Sequence, residues 1–165
     1  RQQAHAGWVC LALRRGGAGW FSGALDGTLR RWSARGEAEG SRELVAPIQA
    51  LASLSGDRAA VGTAEGEVLI VAPGVTPWAI GRHQGAVRAL LALPGGLLAS
   101  AGEDDWVRLW SLSGAPARAF PHEDFVTSLA LLRSPSGPLL ASGSYDQTVS
   151  IWPLAGAAEP ISLPE

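Results

Sequence analysis

The sequence predicts an all-β protein built from repeated four-stranded units. Three observations carry that expectation. Four apolar runs close on Trp32, Val71, Trp110 and Trp152, so one landmark recurs at intervals of 39, 39 and 42 residues. Between landmarks the chain alternates apolar with polar residues or runs short and apolar, broken by Gly, Pro and Ser, as short strands do. No stretch sustains the 3.6-residue period of an amphipathic helix.

Within each unit the elements follow one order. An apolar run comes first, as in Val9 to Leu13, Val87 to Leu91 and Val126 to Ala130. A loop leads to a second apolar run ending in Ser-Gly or similar, and a tight acidic turn leads to the third run, which ends in Trp. Asp26-Gly27 is a hairpin signal, and Glu65-Gly66 is its counterpart one unit later. A fourth, outermost strand follows the Trp. A period near ~40 residues with four strands per unit marks a propeller array. The expected fold is an all-β propeller of four blades, each a four-stranded antiparallel sheet, forming a partial ring. The repeats run approximately 5–43, 44–82, 83–121 and 122–165. Arg1 to Ala4 read as the tail of an outer strand belonging to a preceding blade.

Polar residues recur at fixed offsets from the landmarks. Ser22 stands ten residues before Trp32, Asp26 six before and His5 twenty-seven before. Ser100, Asp104 and His83 stand at the same offsets from Trp110. Ser142 and Asp146 keep them before Trp152, whereas His122 stands thirty before, a difference assigned to a longer loop at Arg133 to Pro138. The chain has three histidines, and all of them occupy this one position. With these residues the sequence resembles the WD-repeat β-propeller family over nearly its whole length. The resemblance implies a buried His, Ser, Asp and Trp network in each blade. Such a network lets an imidazole bridge a hydroxyl and a carboxylate while the hydroxyl accepts the indole N–H, so no buried polar group is stranded.

The departures are informative too. Trp32 and Trp110 are followed by Ser and Trp152 by Pro153, so the family's Trp-Asp dipeptide is missing. In the second repeat Leu44, Val61 and Val71 replace His, Ser and Trp, and only the acid Glu65 remains. Replacing all the partners together avoids a half-satisfied network.

Composition narrows the function. A formal charge of −2 with 17% charged residues gives no electrostatic footprint for nucleic acid or an anionic membrane. All basic side chains are Arg, and Lys, Asn and Met are absent, a bias expected of a GC-rich genome; glycosylation sequons and lysine modification are thereby excluded from this segment. Cys10 is the single cysteine and reads as a small buried strand residue, compatible with a reducing, cytoplasmic location. No apolar run approaches the ~20 residues needed to span a bilayer.

Catalytic readings fade on inspection. Ser22, His5 and Asp26 mimic a triad, but three copies at one spacing indicate architecture rather than a single reacting centre. Asp104-Asp105 beside Glu103 reads as an exposed turn, the histidines lack zinc-ligand spacing, and the Gly pairs at Gly16 and Gly95 lack a phosphate-binding strand-loop-helix context. No enzyme activity, metal or cofactor is expected. The resemblance implies a protein-interaction scaffold or adaptor docking partners on a propeller face; the alternative is a sensor propeller attached to an enzyme whose catalytic domain lies outside these residues. The loops entering the innermost strands and the acidic turns supply the candidate partner-binding residues Trp8, Arg88, Glu103, Phe125 and Tyr145. Further blades, from the same polypeptide, another subunit or a second copy, are expected to complete the ring.

Overall fold

Short apolar segments such as Ile48-Gln49-Ala50-Leu51-Ala52 place β-branched and small apolar side chains on buried positions of a strand, and the turns between such segments return the chain on itself. The computed structural model describes residues 5–15, 19–112, 118–155 and 161–162. Sixteen strands are present among them. Blade 1 holds β1 (Val9–Arg15), β2 (Gly19–Ala24), β3 (Thr28–Ser33) and β4 (Ala38–Glu43). Blade 2 holds β5 (Ile48–Leu54), β6 (Arg58–Thr63), β7 (Glu67–Val71) and β8 (Trp78–Arg82). Blade 3 holds β9 (Val87–Leu93), β10 (Leu97–Gly102), β11 (Trp106–Ser111) and β12 (Arg118–Pro121), and blade 4 holds β13 (Val126–Ser134), β14 (Gly137–Ser144), β15 (Val149–Pro153) and β16 (Ile161–Ser162).

Each blade is an antiparallel meander whose strands pair in sequence order. In blades 1 to 3 the second strand is strongly buried and the outermost strand the least buried, whereas in blade 4 the innermost strand β13 is largely exposed. β6 is almost wholly buried, whereas β4, with the polar sequence Ala-Glu-Gly-Ser-Arg-Glu, lies at the exposed rim where charged side chains discourage further strand pairing. Three apolar clusters join blade 1 to 2, 2 to 3 and 3 to 4. Among the described residues no cluster joins blade 4 to blade 1, so the four blades form an arc.

One packing device repeats at each joint. The first residue of the innermost strand, Ile48 in β5 and Val87 in β9, is fully buried against a glycine of the preceding blade. A Cβ at Gly23 would lie 2.8 Å from Ile48, and one at Gly62 would lie 2.5 Å from Val87. Val126 is equally buried, in the cluster that contains Ala101 of blade 3. At the ends of the arc the device is half made. Val9 is 51% exposed, and a Cβ at Gly143 would meet only Ser128 of its own blade.

The structure alters the reading of Arg133 to Pro138. The extra residues extend β13 and β14, with Arg133 opposite Pro138 and Ser134 opposite Gly137, and only a tight turn connects them. The added residues gain ladder hydrogen bonds that a longer loop would forgo. The short helical turn at Pro94–Gly96 accommodates the second Gly pair through positive φ at Gly95 and Gly96. Arg1 to Ala4, Gly16 and the side chain of Cys10 lie outside the described residues.

Candidate functional site

Two hairpin features position the polar residues. In every blade the pairing of the first two strands carries a β-bulge directly after the first, β-branched residue of the innermost strand, at positions 10, 49, 88 and 127; that residue is buried in blades 2 to 4 and exposed in blade 1. A bulge adds one residue to one strand and re-aims its side chain. The turn that follows the second strand is then tied to the loop before the first: the amides of Leu25, Ala64, Glu103 and Tyr145 donate to the carbonyls of Trp8, Pro47, Ala86 and Phe125. These ties bring the entry loops and acidic turns to one face of the arc.

Beneath this face lie the three networks. In blade 3 Trp110 Nε1 donates to Ser100 Oγ (2.7 Å), Ser100 meets His83 Nε2 (2.6 Å), and His83 Nδ1 meets Asp104 (2.7 Å). The Asp104 carboxylate accepts only, so a proton on Nδ1 satisfies it while Nε2 accepts from the Ser100 hydroxyl; Arg108 Nη1 also lies 2.6 Å from Nδ1 and donates to Asp104. Blade 4 repeats the chain through Trp152, Ser142, His122 and Asp146 at 2.8, 2.8 and 2.9 Å. Blade 1 differs. Trp32 donates to Ser22 at 2.8 Å and Ser22 meets His5 Nε2 at 2.7 Å, but His5 Nδ1 reaches Thr28 Oγ1 (2.6 Å), which relays to Asp26 at 2.6 Å. Here the direct His5 to Asp26 separation is 3.5 Å.

Each Asp also anchors the entry loop. Asp26 accepts the Ala6 amide, Asp104 that of Gln84 and Asp146 that of Glu123. Burial pushes the Asp26 and Asp146 carboxyls upward, but hydrogen bonds from Thr28 and Thr148, those loop amides and the histidines outweigh it and hold both far below the usual range. Asp104 is lowered in the same way, against burial, by His83, Gln84 and Arg108. Burial lowers His83, and the adjacent Arg108 cation adds to that, against the pull of Asp104. The residue after each acid adopts positive φ: Gly27 and Gly66 do so freely, while Asp105 (φ 65°) and Gln147 (φ 71°) carry side chains there.

Ser22, Ser100 and Ser142 are buried with their hydroxyls engaged by Trp and His, an arrangement that presents no nucleophile to solvent. Among the described residues no group of three His, Cys, Asp or Glu is arranged to hold a metal ion.

The sequence-derived surface residues fall on the face above. Trp8 is 84% and Tyr145 66% exposed. Phe125 packs beside Tyr145 with ring centroids 6.3 Å apart. Arg88 is bound by the Glu103 carboxylate and reaches Gln49 Oε1 of blade 2 at 3.5 Å, so its cation is balanced by Glu103. Val45, fully exposed, and Leu25 stand on the same face and were not among the sequence candidates. The available signal was positional: Val45 fills a slot held by Ala6, Gln84 and Glu123 in the other repeats.

Residues 114–153 match the family model described as WD domain, G-beta repeat. The match runs from before β12 to the end of β15. The chain has the WD40-repeat propeller fold. It superposes on the computationally designed Ika4 protein with a TM-score of 0.78 at 23% identity, covering 94% of this chain and 96% of that one. It superposes equally on U3-55K (TM-score 0.78, 23% identity, 91% of this chain and 50% of that one) and on the RRP9 WD40 repeats (0.78, 23%, 91% and 49%). At these identities the likeness is one of fold. This chain spans about half the length of the latter two structures. No curated protein matches it. Among the described residues no helix is long and apolar enough to cross a membrane.

Proposed function

We propose that this WD40 segment is a non-catalytic protein-interaction scaffold that docks partner proteins on the face formed by the entry loops and acidic turns. One observation carries the reading: Trp8, Leu25, Val45, Phe125 and Tyr145, all large or branched apolar residues, are exposed on that single face. Solvent-facing apolar groups gathered in this way mark interaction sites, and Trp and Tyr are the side chains that interface hot spots favour. The carboxylate ties beneath hold the loops still, so little ordering entropy is lost on docking. Arg88 and Glu103 form a charged pair among the bulge positions, where they can select among partners more than they add affinity.

Further blades are the second class of partner. Val9 is a knob lacking its glycine and Gly143 a glycine lacking its knob, so each end of the arc fits a blade of this same design.

The test is crosslinking mass spectrometry on cell extracts, comparing wild type with Trp8→Ala, Tyr145→Ala and Arg88→Glu, each first matched to wild type by melting curve. Arg133→Ala, at the far end of β13, is the control. Loss of the same crosslinked partners in the face variants and their retention in Arg133→Ala is expected. Undiminished crosslinking in all three face variants places the docking site elsewhere.

A further inference from the structure

We infer that the cleft between blades 1 and 2, on the rim and apart from the loop face, receives an aromatic side chain of a partner protein carried next to a carboxylate. The argument begins with a repeated joint. The Trp that ends the third strand lies over the outer strand of the preceding blade: a Cβ at Gly81 would fall inside the Trp110 ring, and Trp152 stacks on Phe120 at 4.6 Å. The register places Arg42 at the corresponding slot of blade 1, since Leu29 pairs Arg42 as Val68 pairs Gly81 and Val107 pairs Phe120. The residue facing that slot is Val71, with no indole to offer. A cavity of about 230 Å³ remains there, lined by Phe21, Leu29, Gly40, Arg42 and Val71 and by the Arg31–Asp57 ion pair, whose charges answer each other. Nothing approaches within 4 Å of a Cβ placed on Gly40.

Size and charge select the occupant. The space is smaller than the several hundred Å³ typical of pockets for drug-sized ligands, so it suits one ring rather than a nucleotide. Its floor of Phe21, Leu29 and Val71 is buried and apolar. Both Arg42 guanidinium nitrogens Nη1 and Nη2 donate to the Val75 carbonyl (3.3 and 3.0 Å), strapping the rim of blade 1 to the turn after β7. Among the described residues Arg42 forms no ion pair, whereas the neighbouring Arg31 is bound by Asp57 and Glu39. An incoming carboxylate can therefore take over Arg42 in a charge-assisted bond stronger than the one to a neutral carbonyl. An aromatic anchor in a preformed apolar slot, paired to one Arg at its edge, is the composition of an interface hot spot.

The test uses the whole chain and the peptide acetyl-Ala-Trp-Glu-Ala-amide, followed by methyl NMR signals of Val71 and Leu29. Saturable shifts are expected at millimolar peptide or below. Changing Glu to Gln in the peptide, or Arg42→Ala in the protein, should weaken binding about tenfold, the loss expected of one charge-assisted contact. Val71→Trp should abolish binding by filling the cavity with the protein's own indole. If that variant does not fold, the Arg42→Ala and Gln-peptide comparisons still decide. Absence of shifts in wild type, shifts indifferent to both charge changes, or binding of indole-3-acetate without binding of the peptide would each overturn the proposal.

Discussion

Blades 2 and 3 occupy equivalent places in the arc and solve the same burial problem with opposite chemistry. Blade 3 threads a hydrogen-bonded chain from Trp110 through Ser100 and His83 to Asp104. Blade 2 fills those positions with Leu44, Val61 and Val71, and both Val61 and Val71 are buried in the cluster shared with blade 1. The strand pairings of the two blades are nevertheless alike, including the bulge. The backbone does not require the network. What it requires is agreement among the residues at those positions, all polar and mutually satisfied or all apolar.

That conclusion is broken most directly at the shared atom. Ser100→Val leaves the Trp110 indole N–H and His83 Nε2 without a partner, and should cost about 2–6 kcal/mol, from about 1–3 kcal/mol per stranded group. The triple change Ser100→Val, His83→Leu and Trp110→Val copies blade 2 and should be less destabilised than the single one in urea unfolding. If the triple is the worse of the two, mutual agreement is not what matters. His83→Ala strands Ser100 and frees Asp104 and should cost about 1–3 kcal/mol by the same measurement. Hydrolytic activity that disappears with His83 while stability stays unchanged would instead restore a catalytic reading.

Acidification sharpens the contrast. His83 is lowered in the folded chain, so the unfolded state binds the extra proton as pH falls through about 6.5, and stability begins to decline there. Asp104 is also lowered, so its contribution is complete above the unfolded Asp value of about 3.9 and is lost progressively as pH falls below it. Blade 2 has neither group. Amide exchange corrected for intrinsic rate should therefore show β9 to β11 losing protection before β5 to β7 between pH 7 and pH 3. Parallel loss in the two blades would contradict this. The smallest expected effect is at the turns. Asp105 holds a positive φ that Gly66 holds without strain in blade 2, so Asp105→Gly should raise stability by up to about 1 kcal/mol, seen as a higher melting temperature.

Much of this was legible in the sequence because repetition reports on itself. The offsets from Trp32, Trp110 and Trp152 identify Ser, Asp and His in three units, and the wholesale change at Leu44, Val61 and Val71 signals an apolar blade. Other features depend on what stands across space rather than along the chain. Thr28 interposes itself between His5 and Asp26 because its hydroxyl reaches both, and no spacing rule distinguishes that from direct contact. The pairing of Arg88 with Glu103 joins two candidates read separately, and it turns an available cation into a neutralised one. Arg133 to Pro138 continued a hairpin because an antiparallel pair can lengthen at its closed end without disturbing any other strand. The cavity beside Gly40 appears only when the missing indole is set against the strand it would have covered.

The stretch 114–153 that matches the family has a consequence of its own. It includes β12, the last strand of one sheet, and the first three strands of the next, so the matched stretch is not a panel but a hinge-pin with a panel half attached. Phe120 and Trp152, which stack across the joint, both lie inside it. The rest of that seam, Leu93, Ala99, Ala101, Val107 and Leu109, lies upstream of the stretch, so an added or removed unit keeps its stacked ring pair but must find its remaining partners on whichever blade precedes it.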